Sequence, residues 1–124
     1  MPAIAVKEAR ARDIAKFTGI AIPGLQFVGL TATENGKPIG LGVIVWGNGG
    51  RPFVSLEITE RLRTMPFLLH RLAKALVSAG AQACPELYAI EKAIEPTSAR
   101  WLTRLGFEPT EEMLAGERVW QWRN

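Results

Sequence analysis

Apolar residues along this chain recur at two periods, and the switches between them lay out the elements. Alternating or β-branched runs predict strands at Ala3–Glu8, Leu25–Ala32, Ile39–Trp46, Phe53–Ile58, Glu86–Lys92 and Arg118–Arg123. Helical spacing predicts helices at Arg12–Phe17, Phe67–Ala79 and Thr97–Leu105. In the long helix Leu69, Leu72, Ala73 and Leu76 form the buried stripe, and Gly80 is expected to end it. His70, Arg71, Lys74 and Ser78 fall on the other side, which puts His70 in solvent. In the last helix Trp101, Leu102 and Leu105 face inward, while Arg100, Thr103 and Arg104 face out. Trp120 and Trp122 share one face of the final strand and are expected in the core.

Turn chemistry connects these pieces. Pro23-Gly24 closes the region after the first helix. Asn35-Gly36 accepts the two positive φ angles of a type I′ turn and predicts a hairpin. Gly47-Asn-Gly-Gly50 joins two strands and opens no helix, so it reads as a connector and not a phosphate cradle. The order β, short α, β-hairpin, β, α, β, α, β predicts an α/β (α+β) protein. Its single mixed sheet should be mostly antiparallel, flanked by helices, with one β-α-β crossover.

A chain of 124 residues suits one domain spanning 1–124. Cys84 is the single cysteine, so no internal disulfide can form, and a reducing, cytoplasmic setting is expected. Its distance in sequence from His70, the single histidine, argues against a catalytic thiol. No apolar run approaches the ~18 residues of a membrane span. The net charge of +3 is small, and no dense basic stripe with interleaved aromatics is present, so nucleic acid is not an expected partner. His, Cys and carboxylates at ligand spacing are too few for a metal site.

The segment with chemical promise is Glu60-Arg-Leu-Arg-Thr-Met-Pro66, a basic turn between a strand and a helix start, where N–H groups and the helix dipole can hold a phosphate. The element order and several strings resemble the GNAT superfamily of acetyl-CoA-dependent N-acyltransferases. Lys7-Glu-Ala-Arg-Ala-Arg-Asp-Ile14 is similar to the family's opening strand and helix, and Asn35-Gly-Lys-Pro-Ile-Gly40 to its hairpin. Arg61-Leu-Arg-Thr-Met-Pro66 sits where the family has its pyrophosphate loop, and Glu95 to Leu105-Gly-Phe107 resembles its closing helix segment.

The resemblance implies acetyl transfer from acetyl-CoA to a primary amine of a small molecule or protein, and it allows a homodimer. It implies cofactor contacts from Leu56, Ile58, Arg61, Leu62, Arg63, Thr64, Met65 and Phe67, with the oxyanion met by a backbone N–H between Leu56 and Ile58. Glu57 and Glu91 become candidate bases and Tyr88 a candidate acid. Thr64 and Pro66 replace the two small residues of the loop, Leu102 stands at the usual tyrosine, and Glu95 at the usual asparagine. A GNAT-fold protein without catalysis, acting in binding or as a structural part such as a phage-virion or assembly protein, is the alternative.

Overall fold

A computed structural model describes residues 3–18, 26–91 and 98–123. The expected helix-ending pair Pro23-Gly24, together with Leu25, Lys92, Glu95 and Thr97, lies outside the described residues. The chain runs β1 (Ile4–Glu8), α1 (Ala11–Thr18), β2 (Phe27–Glu34), β3 (Lys37–Trp46), β4 (Pro52–Ile58), α2 (Glu60–Arg63), α3 (Pro66–Ala83), β5 (Glu86–Ile90), α4 (Ser98–Arg104), β6 (Glu108–Leu114) and β7 (Glu117–Arg123). The seven strands form one sheet in the order β1-β2-β3-β4-β5-β7-β6. Every pairing is antiparallel except β4 with β5, the product of the crossover through α3.

Asn35 and Gly36 take φ of 51° and 79°, as the hairpin requires, and pull Lys37 into register with Glu34. Thr33 pairs with Pro38 and Ala32 with Gly40, which leaves Ile39 as an extra residue in β3. Ile39 consequently sits with Ala32, Leu62 and Leu72 in a buried cluster under α2 and α3. A larger cluster joins Ile44, Leu76, Val77, Leu87, Ala89, Leu102, Phe107 and Trp120 between the sheet and α3 and α4. On the opposite face α1 covers Leu41 and Val43 through Ile14.

Three expectations change. Gly80 lies inside α3 and is buried, and a Cβ there would stand 2.5 Å from Ile44 Cδ1 and 3.0 Å from Leu87 Cδ2. The helix needs the missing side chain to approach the sheet, and ends at Ala83 instead. His70 is half-buried and not in solvent. The basic turn is helical over Glu60–Arg63, capped by Thr59, whose Oγ1 accepts from the Leu62 N–H at 3.3 Å.

The strand β6 escapes the hydrophobic pattern altogether. Its Glu108, Glu111, Glu112 and Pro109 are poor strand formers, yet they suit the sheet edge that β6 occupies, where charge and proline deter pairing with another chain. The turn to β7 is Ala115-Gly116, with φ of 51° and 80°. Alanine gains nothing from the left-handed region, whereas asparagine tolerates it, as Asn35 does. Ala115→Asn should therefore raise stability by about 1 kcal/mol, read as a higher denaturant midpoint at unchanged slope.

Candidate functional site

Strands β4 and β5 touch for only two register pairs, Phe53 with Tyr88 and Val54 with Ala89. Beyond them β5 follows β7 instead, through Ile90 with Val119 and a Glu91 N–H bond to Arg118 O at 2.9 Å. The parting opens a cleft of about 510 Å³ through the sheet. Leu69 of α3 and Trp101, Leu102 and Leu105 of α4 wall one side, and Ser55 to Ile58 of β4 wall the other.

The ladder with β3 decides which backbone groups face this space. Thr59 N–H donates to Ile39 O at 3.1 Å, and the register from there to Pro52 is unbroken. In an antiparallel pair such bonds fall on alternate residues. Residues 59, 57, 55 and 53 thus bond β3, while Leu56 and Ile58 turn their N–H and C=O groups towards the cleft. Side chains alternate as well. Val54, Leu56 and Ile58 pack with the helices, so Ser55 and Glu57 project to the other face of the sheet. Glu117, at the start of β7, shares that face with Val119 and Gln121 and also lines the cleft. One side of the opening is apolar and helical, and the other carries two carboxylates.

The sequence-predicted residues divide accordingly. Leu56, Glu57, Ile58 and Arg63 all line the cleft. Leu62 is fully buried beneath α2, Met65 packs partly against the same cluster, and Phe67 is 88% exposed at the start of α3. Arg61 turns away to Glu34, with Nε to Oε1 at 2.8 Å and Nη2 to Oε2 at 2.6 Å. That bidentate hydrogen bond holds the Glu34 carboxyl below its ordinary value. Thr64 Oγ1 donates to Arg61 O at 2.6 Å.

Glu91 accepts from Trp120 Nε1 at 3.0 Å. Tyr88 lies on the sheet face away from α3, its ring 5.7 Å from Phe53 and under the Arg51 guanidinium at 5.0 Å. Its hydroxyl donates to Glu86 Oε2 at 2.7 Å, and this bond, with burial, raises the phenol above its ordinary value. Arg51 in turn bonds both oxygens of Glu112 at 2.8 Å, tying β6 to the start of β4. Neither Glu91 nor Tyr88 is among the residues lining the cleft.

Ser55, Ser98, Trp101 and Glu117 line the cleft without having been singled out as site residues. Glu117 had no sequence signal, because its placement depends on the β6–β7 hairpin. Ser98 could have been found as the polar residue opening α4. Among the described residues no three His, Cys, Asp or Glu side chains come together to hold a metal ion, and no helix is long and apolar enough to cross a membrane.

No family model and no curated protein matches the chain. Solved structures do. A Klebsiella pneumoniae protein assigned as an acyl-CoA N-acyltransferase superposes with a TM-score of 0.75 at 16% identity, over 97% of each chain. An Acinetobacter baylyi protein assigned as an acetyltransferase gives 0.77 at 13% identity, over 100% of this chain and 94% of its own. A GNAT-family acetyltransferase from Staphylococcus aureus gives 0.71 at 11% identity, over 98% and 99%. At such identities the likeness is one of fold, and that fold is the acyl-CoA N-acyltransferase fold expected from the element order.

Proposed function

We propose that this chain, built on the acyl-CoA N-acyltransferase fold, moves an acyl group, acetyl in the simplest case, from the thioester of acetyl-CoA to a primary amine. The observation that carries this reading is the parting of β4 from β5, which leaves the backbone of Leu56 and Ile58 facing an apolar cleft. A pantetheine arm is an extended chain of amides and methylenes, and an open strand edge between apolar walls suits it. Leu56, Ile58, Leu69, Trp101 and Leu105 would hold it there.

The acceptor amine enters from the opposite face, where Glu57 and Glu117 line the opening. Glu57 takes the ammonium proton, directly or through water, and the free amine attacks the thioester carbon. A cleft-facing N–H of Leu56 or Ile58 holds the developing oxyanion. The C–S bond then breaks as the amide C–N bond is kept, and the sulfur leaves with a proton. Leu102 is buried in the core at the place of the expected tyrosine, so the proton comes from the nitrogen that has added to the thioester carbon, or from water. The protein acceptor and the small-molecule acceptor remain equivalent in this chemistry.

The second reading, a non-catalytic binding or structural protein of the same fold, is favoured by Pro66 and by the self-satisfied turn before it, which weaken a phosphate site. One measurement separates the two. If acetyl-CoA binds the native state, saturation at ~100 Kd adds roughly 2.7 kcal/mol to stability. A clear rise in Tm with acetyl-CoA, followed by release of free thiol on adding a panel of primary amines, is the expected result. An unmoved Tm at millimolar acetyl-CoA and CoA would leave the non-catalytic reading in place.

A further inference from the structure

Most of the segment between β4 and α3 spends its hydrogen-bond donors on itself, apart from the Glu60 and Arg61 N–H groups that open the four-residue α2. Arg63 N–H donates to Thr59 O at 3.1 Å, Thr64 N–H to Arg61 O at 3.2 Å and Met65 N–H to Leu62 O at 2.9 Å. Leu62 N–H is taken by the Thr59 cap, and Leu69 N–H by Met65 O at 3.0 Å. Pro66 has no N–H to give. The start of α3 thus offers at most the N–H groups of Phe67 and Leu68, beside an exposed phenyl ring that adds no donor. The cations are engaged too. Both ends of the Arg61 guanidinium hold Glu34, and Arg63, which lines the cleft, stands 3.3 Å from Glu60.

A diphosphate is held by converging N–H groups and cations. Here most of those groups close the turn instead, and the N–H groups left over are divided between the starts of α2 and α3, while the apolar cleft and the open β4 edge are intact. We infer that the chain selects its donor by the pantetheine arm and thioester alone, so an acyl-pantetheine without the nucleotide diphosphate serves as well as acyl-CoA. The inference rests on the acyl-transfer reading and narrows its substrate class. The bookkeeping of the step is the same for both donors: an amide C–N bond forms, the thioester C–S bond breaks, the amine loses a proton and the leaving sulfur gains one.

The test titrates the native protein with CoA and with reduced pantetheine and compares the two dissociation constants by calorimetry. One charge-assisted contact to phosphate is worth about tenfold or more in affinity, so that is the dividing line. A CoA advantage below about tenfold supports the inference. An advantage of about tenfold or more overturns it and leaves the acyl-transfer reading standing, with a working phosphate site. If neither compound binds, both the inference and the reading it rests on fall. Initial rates with acetyl-pantetheine and acetyl-CoA at one amine acceptor provide the second readout, and a ratio of kcat/KM above about tenfold in favour of acetyl-CoA counts against the inference in the same way.

Discussion

Glu57→Gln should lower acyl transfer roughly 10²- to 10⁴-fold, the usual worth of a positioned general base, while leaving thioester binding and fold intact. The substitution keeps the side chain's size and removes its ability to accept a proton. Glu57 sits on the face of β4 away from α3 and α4, so no contact with the cluster under those helices is lost, and stability should stay within about 0.5 kcal/mol. Glu117→Gln is the informative companion, because it alters the other carboxylate on the same face. If Glu57 is the base, its variant loses turnover and Glu117→Gln mainly raises KM for a cationic amine. Should Glu57→Gln keep turnover within about threefold, Glu57 positions nothing essential and the base lies elsewhere.

The sequence located the cleft's two flanking strands but not the side of the sheet each residue would face. Glu57 and Tyr88 lie on those strands and Glu91 directly follows β5, and only Glu57 lines the cleft. The difference is one of phase. A strand's alternation tells which residues share a face, and the choice between faces is made by the helices that cover it. Leu87 and Ala89 turn to α3, which sends Tyr88 to the other side, beside Phe53 and Arg51. Glu91 could not be settled from sequence because Trp120, its partner, comes from a strand far along the chain.

The basic turn shows a second limit. Arg61 and Arg63 are two residues apart and looked equivalent as phosphate ligands. Once Glu60–Arg63 winds into a helix they point in different directions, one to Glu34 at the end of β2 and one to the cleft. The capping Thr59 and the acidic first-turn Glu60 were the local signs of that helix, and its short length kept them from standing out. Long elements were far easier to read. The stripe of α3 and the Asn35-Gly36 hairpin have enough repeats or specific enough turn chemistry to need no tertiary context, whereas the edge strand β6 is held by its hairpin and by Arg51 and shows almost no pattern of its own.

Leu62 is what fastens α2 to the sheet, and its removal should be costly. The side chain is fully buried, packed with Ala32, Ile39 and Leu72, and it occupies the space that a Cβ on Gly40 would need. Leu62→Ala removes three buried carbons at a site held between the sheet, at Gly40, and α3, at Leu72, which collapses little. A loss of about 2–5 kcal/mol follows, and for a chain of this length that lowers Tm by roughly 10–20 °C. Phe67→Ala is the matched control, five residues on and 88% exposed, where a change within about 0.5 kcal/mol is expected. The two variants together separate burial from mere proximity to the turn. A Leu62→Ala protein as stable as the parent would mean that α2 is not seated on this cluster, and the donors it consumes would then be available to a ligand after all.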